Sequence, residues 1–360
     1  MSESDKLIHV YCPNVEAGTD AHLQIVKPGL TMSDKCTIAN TPSDNGFILY
    51  QKLYDRWLET NEDLVDVVLL TDSTPSDAVM GNVNQAAVDR YPDKPVIAVS
   101  YNDEPIDTFQ PIFNTTHNNV VRFKRSMTVM KDHVPVGPAE YPYEVNHAAY
   151  CVRYDIHKKC EEMHKDYEQR SLDACCFFKG EETSITEQRA QDWNKFINRP
   201  PINFARGYAP QVVSALTHLK SFVGFTTQDQ IRPNATGRHG VGLDEEGSAQ
   251  YNYVKTMCDS KIVVTACPCG YEGDYRLMEA MTSGALVLHN KMYFAPEGLV
   301  DGIHWVVYES KRDLAEKLCF YHQHQELAKE IALNGKQFVL QNHMPHHRIE
   351  SWLKAVGVLK

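Results

Sequence analysis

The segment from Ser260 to Asn290, SKIVVTACPCGYEGDYRLMEAMTSGALVLHN, constrains the fold more than any other stretch of the chain. The apolar, β-branched run Lys261 to Ala266 predicts a buried strand, and the small, turn-forming residues Cys267 to Gly273 predict a loop. Asp274 to Thr282 predicts a helix with Asp274 as its cap, and Ala285 to His289 a second strand. Strand, loop, helix and strand in that order is the βαβ unit of a parallel sheet. Its loop therefore lies at the carboxyl edge of a strand, where open parallel sheets present ligand sites. Arg276 and Glu279, three residues apart, share one side of the helix. A guanidinium beside the exposed amides of a helix start suits a diphosphate, and a carboxylate one turn on suits the two hydroxyls of a ribose.

The rest of the chain repeats this rhythm. Strands are expected at Leu7 to Tyr11, Val65 to Thr71, Pro95 to Tyr101 and Asn119 to Phe123, with helices at Phe47 to Glu59 and Ser76 to Tyr91. The stretch after Tyr11, rich in Gly, Pro, Asp and Asn up to Gly46, reads as irregular, and Lys131 to Asn146, with Pro135, Pro138 and Pro142, reads as a linker. Beyond it come a polar helix, Asp155 to Gln169, and a strand, Leu172 to Phe178, that ends at Lys179 and Gly180. A helix from Thr186 to Ile197 carries Arg189 in its first turn, so Lys179, Gly180 and Arg189 form a second candidate phosphate contact. Arg206 to Leu219 reads as helix or mixed structure, and helices at Ala249 to Asp259, Arg312 to His324 and Glu326 to Asn342 follow. Strands at Phe222 to Thr226 and Trp305 to Val307 and a long loop, Thr227 to Gly247, lie among them.

With roughly 150 residues per domain as a guide, this length and pattern predict an α/β protein of two Rossmann-like domains, 1–140 and 141–345. Residues 346–360 read as a last helix. The net charge of −11 argues against a nucleic acid or an anionic membrane as the main partner. No apolar run reaches the roughly 18 residues of a membrane span, and the amino terminus has no apolar segment of signal-peptide type, so a cytoplasmic protein with reduced cysteines is expected. Cys267 and Cys269 lack the gap of a zinc pair, and His343, His346 and His347 have no helical glutamate partner; no metal and no cofactor is predicted.

The run GDYRLMEAMTSGALVL, with the later ESKRDLAEKLCFYHQHQELAKEIALNGKQFVL, resembles the carboxyl-terminal domain of GT-B glycosyltransferases. The exostosin-like and spore-coat-protein-like branches are the most similar, where an Arg, two residues and Glu-Ala precede Ser-Gly and an apolar strand. The resemblance spans residues 173 to 350. It implies two domains facing each other across a cleft, with a nucleoside-diphosphate sugar held by the second and a glycan or other hydroxyl acceptor by the first, and no metal. It also implies that the last helix, 346–360, packs back toward the first domain. It places Glu272, Gly273, Asp274, Arg276, Glu279, Ser283 and Gly284 at the donor. Many retaining members separate two glutamates by seven residues; Glu272 and Glu279 are separated by six, which leaves the stereochemical outcome open.

Sugar transfer stabilises charge on a departing diphosphate, a role for Arg276 as a catalytic group. An inverting reaction also requires a base, for which Asp103 and Glu104, directly after a strand, are the foremost candidates, ahead of Asp20, His22, Asp44 and Asp72. Each residue has a plainer reading. Arg276 also suits a surface ion pair, Ser283 and Gly284 a helix end, and loop carboxylates local caps. A nucleotide-sugar epimerase and a non-catalytic carbohydrate-binding protein of the same fold are the competing functions.

Overall fold

Parallel strands cannot be joined by tight turns, so each must be followed by a crossover that covers a face of the sheet. The computed structural model describes residues 8–12, 27–38, 65–71, 78–100, 119–125, 127–131, 134–138, 140–141, 143–178, 205–225, 246, 248–267, 275–292 and 294–360. The chain divides into two units. The first comprises Met1–Met127, Ala139–Ala148 and Met344–Lys360, and the second Thr128–Pro138 and Ala149–His343.

The first unit contains β1 (Ile8–Tyr11), α1 (Lys27–Met32), β2 (Cys36–Ile38), β3 (Val67–Thr71), α2 (Ala78–Arg90), β4 (Val96–Ser100) and β5 (Val120–Lys124). After β5 the chain leaves for an antiparallel hairpin of the second unit, β6 (Thr128–Lys131) and β7 (Val134–Pro138), and returns as β8 (Asn146–His147). The sheet order is β2-β1-β3-β4-β5-β8, parallel throughout. Strands β3 and β4, VVLLT and VIAVS, are buried at every position, which explains why they read as continuous apolar runs without alternation.

Three expectations are corrected here. The stretch after Tyr11 is not irregular throughout, since α1 and β2 form within it. Pro28 sits in the first turn of α1, where its missing N–H costs nothing. Gly29 marks a close helix approach: a methyl on it would lie 2.5 Å from Ile349 Cγ1 and 2.6 Å from the Pro345 carbonyl oxygen. The proline-rich linker is also partly strand, because Pro135 and Pro138 lie in a two-stranded ribbon whose outer edges need no N–H donor. The polar helix is broken. It ends as α3 (Tyr154–Glu162), and a 3₁₀ turn (Tyr167–Gln169) follows, because Tyr167 turns into the core and Arg170 reaches the carbonyls of Ser260 and Ser283. The expected helices Phe47 to Glu59 and Thr186 to Ile197, and nearly all of the loop Thr227 to Gly247, lie outside the described residues.

The second unit continues with β9 (Leu172–Phe178), α4 (Ala205–Ala215), β10 (Ser221–Phe225), α5 (Ala249–Cys258), β11 (Ser260–Thr265) and α6 (Tyr275–Thr282). It ends with β12 (Leu286–Asn290), β13 (Val306–Tyr308), α7 (Lys311–Gln323) and α8 (Gln325–Asn342). The strands of its five-stranded sheet are all parallel, in the order β10-β9-β11-β12-β13. Winding thus starts in the middle, goes one way to β10 and then the other way from β11, so the sheet has a switch point between β9 and β11. The first five strands of the other unit follow the same scheme.

Side chains alternate across this sheet. Ala174, Cys176, Ile262, Val264, Leu286 and Leu288 join Val212, Val213, Leu314 and Leu318 of α4 and α7 in one core. The opposite face meets α5 and α6, as shown by Phe177 of β9, whose ring lies 4.9 Å from that of Tyr253 of α5 at 78°. The chain closes with α9 (Pro345–Ala355) in the first unit, where Trp352 lies 5.9 Å from Phe123 of β5 and Glu350 accepts from Ser33 at 2.8 Å.

Candidate active site

Helix α6 begins just beyond the carboxyl edge of β11, beside the switch point where doubly wound sheets hold ligands. That edge is pinned from three sides. Arg206 Nε of α4 donates to the Ala266 carbonyl at 3.1 Å, the Tyr308 hydroxyl to that of Thr265 at 2.9 Å, and the Cys267 N–H to Asn290 Oδ1 at 2.7 Å. The other end of α6 is held by Arg170, which donates to the carbonyls of Ser260 at 2.8 Å, Ser283 at 2.6 Å and Lys165 at 3.3 Å. Gly284 stops the helix at φ +76°, and a methyl there would lie 2.9 Å from Arg170 Nη2. Ser283 donates from Oγ to the Ala280 carbonyl at 2.7 Å. The described contacts of Ser283 and Gly284 are therefore those of helix termination.

Arg276 is half-buried in the first turn of α6, and Glu279, one turn on, is only 3% exposed. Two residues from other parts of the chain hold the Glu279 carboxylate. The Tyr253 hydroxyl donates to Oε2 at 2.7 Å, and Arg153 Nε stands 3.5 Å from Oε1. Since Tyr253 leans edge-on against Phe177, next to last in β9, the carboxylate is fixed close to the carboxyl end of that strand. Arg153, just before α3 and 5% exposed, donates from Nη2 to Asp155 Oδ2 at 3.1 Å and to Gln250 Oε1 at 3.4 Å. Neither Glu279 Oε1 nor Arg153 Nε makes a hydrogen bond.

Burial drives the Glu279 carboxyl above its usual range, an effect that Arg153, the Tyr253 hydroxyl and Arg276 oppose. For Arg153 burial pulls the other way, but Glu279 and Asp155 outweigh it and raise the guanidinium further. A shielded carboxylate with one oxygen tied and the other unfilled is an acceptor suited to a hydroxyl donor.

Of the residues singled out in the sequence, the structure thus brings Arg276 and Glu279 together on α6. Asp103, Glu104, Lys179, Gly180, Arg189, Glu272, Gly273 and Asp274 lie outside the described residues, as do Asp20, His22, Asp44 and Asp72. Sequence reasoning missed Arg153 and Tyr253. The available signal was weak: Arg153 ends the apolar run AAYCV, an unusual place for a cation that faces solvent. Among the described residues no three His, Cys, Asp or Glu side chains are grouped to hold a metal ion, and no helix is long and apolar enough to cross a membrane.

Residues 236–354, which include α5, β11, α6 and both Arg276 and Glu279, match the model of a family described as glycosyl transferase-like. The solved structure of Anabaena HepE in complex with UDP superposes with a TM-score of 0.51 at 11% identity, over 98% of this chain and 100% of that one. The architecture is that of the GT-B fold. An alpha-glucosyltransferase in complex with UDP (TM-score 0.49, 9% identity, 97% and 99% of the two chains) is also similar. So is a glycosyltransferase from Rickettsia africae (0.47, 14%, 98% and 98%). No curated protein matches the chain in sequence. Within the GT-B fold, α6 is the helix that follows the third strand of the second unit's sheet, so the matched motif and the switch point coincide.

Proposed function

We propose that the protein is a metal-independent, cytoplasmic glycosyltransferase that moves a sugar from a nucleoside-diphosphate donor to a hydroxyl of a glycan or other acceptor. The observation that carries this reading is the placement of Glu279. The glycosyl transferase-like segment puts a shielded carboxylate, with an unused acceptor position, on the helix that opens at the switch point of a GT-B sheet. HepE, solved with UDP, supports a nucleotide donor. Arg276, in the first turn of α6, faces the leaving diphosphate together with the helix amides, where its charge lowers the barrier to departure. Lys179, Gly180, Arg189, Glu272, Gly273 and Asp274 complete the donor contacts, Ser283 and Gly284 back the helix, and Asp103 or Glu104 takes the acceptor proton.

The test is a panel of nucleotide sugars with and without candidate acceptors, read as released nucleoside diphosphate. Release that depends on an acceptor is expected; interconversion of the sugar, or binding without turnover, overturns the reading. Arg276→Ala and Glu279→Gln should each lower kcat/KM for the donor by about tenfold or more, ~1.4 kcal/mol of transition-state stabilisation. Glutamine is preferred to alanine at 279 because it keeps the side-chain volume and an oxygen acceptor beside Arg153 and Tyr253, while Asp155 remains to pair with the guanidinium.

A further inference from the structure

Glu279 Oε1 and Arg153 Nε are both shielded from solvent, both lack a hydrogen bond, and stand 3.5 Å apart. That separation is beyond a good N–H···O bond, so the two groups attract by charge while each keeps a directional position unused. Oε2, in contrast, is committed to the Tyr253 hydroxyl at 2.7 Å. A hydroxyl group fills both positions together, donating to the carboxylate oxygen while accepting from the guanidine N–H.

We propose that Arg153 and Tyr253 are positioning residues for donor recognition. The tyrosine locks Oε2, and the guanidinium faces Oε1 and offers Nε–H, so that a ribose hydroxyl is gripped between Oε1 and Nε. The inference rests on the reading of Glu279 as the ribose acceptor and adds how that residue is made competent.

Several groups face Glu279. From the α3 region come Arg153, Asp155 and Cys160; from α5, Tyr253 and the neutral Gln250 beside Arg153; and from α6 itself, Arg276. Lys336 of α8, the helix behind α6, is paired with Glu161 at 2.8 Å. Among these, Arg153 is the cation in direct contact with the carboxylate, while Asp155 works against ionisation. Arg153 thus opposes the upward push that burial gives the carboxyl.

The experiment measures binding of UDP, GDP, ADP and CDP to the full chain by calorimetry, each against its 2′,3′-dideoxy form, from pH 6 to pH 9. The wild-type protein should bind at least one ribonucleotide about tenfold or more tighter than its dideoxy form. In Arg153→Gln that ratio should fall toward one, while affinity for the dideoxy form stays within about threefold of wild type. Arg153→Lys, which keeps the charge but not the planar Nε–H, should lie between, and Tyr253→Phe should lose about three- to tenfold at every pH. An unchanged ratio in Arg153→Gln overturns the proposal while leaving the ribose reading intact, and so does an equal loss of affinity for the ribo and dideoxy forms, which marks a structural role. Should Arg153→Gln fail to fold, Arg153→Lys and Tyr253→Phe decide, and wild-type ratios in both overturn the proposal. If the wild-type ratio is one, or Glu279→Gln leaves it unchanged, the ribose reading itself fails.

Discussion

Replacing Gly335 by alanine sets two effects of opposite sign against each other. Alanine in a helix interior is favoured over glycine by about 1 kcal/mol, and Gly335 is well inside α8. Its added methyl, however, would sit 2.3 Å from the His304 carbonyl oxygen, 3.4 Å from the His304 carbonyl carbon and 3.5 Å from Met281 Cε of α6. An ordinary carbon–oxygen contact is about 3.3 Å, so helix and turn must separate by roughly 1 Å. The turn cannot yield easily. Gly302 donates to the Trp305 carbonyl at 2.8 Å, the Val307 N–H to Asp301 Oδ1 at 2.8 Å and the His304 N–H to the Val300 carbonyl at 3.0 Å. The His304 ring also stacks on Phe338 of α8 at 4.6 Å. Overpacking of this kind costs about 1–3 kcal/mol, and a clash with tied backbone belongs at the top of that range. The net expectation is a loss of about 2 kcal/mol, or about 4–8 °C in midpoint for a unit of this size. Differential scanning calorimetry measures it, with Leu333→Ala, at an exposed position of the same helix, as a control that should barely move. A midpoint for Gly335→Ala equal to or above wild type would show that propensity wins and that α8 does not approach the turn as described.

Two further outcomes follow from the first unit. Burial, and then Arg348, push the His147 imidazole down to about 4 from an unfolded value of 6.5, so the neutral ring contributes stability that is fully present above pH 6.5 and lost as pH falls toward 4. Urea unfolding at pH 7 and pH 4.5 should differ by at most about 3 kcal/mol from this source, and His147→Gln should remove that part of the difference; an unchanged pH dependence contradicts it. Trp352→Ala, which empties a fully enclosed site against Phe123, should cost about 3–5 kcal/mol by urea titration, and a loss under about 1 kcal/mol would contradict the packing of α9.

The sheets were legible because strands buried on both faces must be written as unbroken apolar runs, as in VVLLT, VIAVS and KIVVT. Arg276 and Glu279 were legible for a different reason: spacing of three on a helix after a strand is a local pattern. What escaped was set by distant contacts. Gly29 and Pro28 read as breakers, yet they are admitted into α1 by its contact with α9, more than three hundred residues on. The break after Glu162 depends on carbonyls of Ser260 and Ser283 that Arg170 must reach. Arg153 has meaning only beside Glu279, and no short-range pattern joins them.

The docking of α9 on α1 fixes an order of events during synthesis. Residues 149–343 are made between the body of the first unit and the helix that covers α1. At ribosomal speeds of about 5–20 residues per second, Gly29 and its neighbours wait roughly 16–64 s for Ile349 and Pro345 to arrive. The half of the protein translated first is therefore completed last, and a premature stop after His343 would strip α1 of its cover while sparing every strand of both sheets.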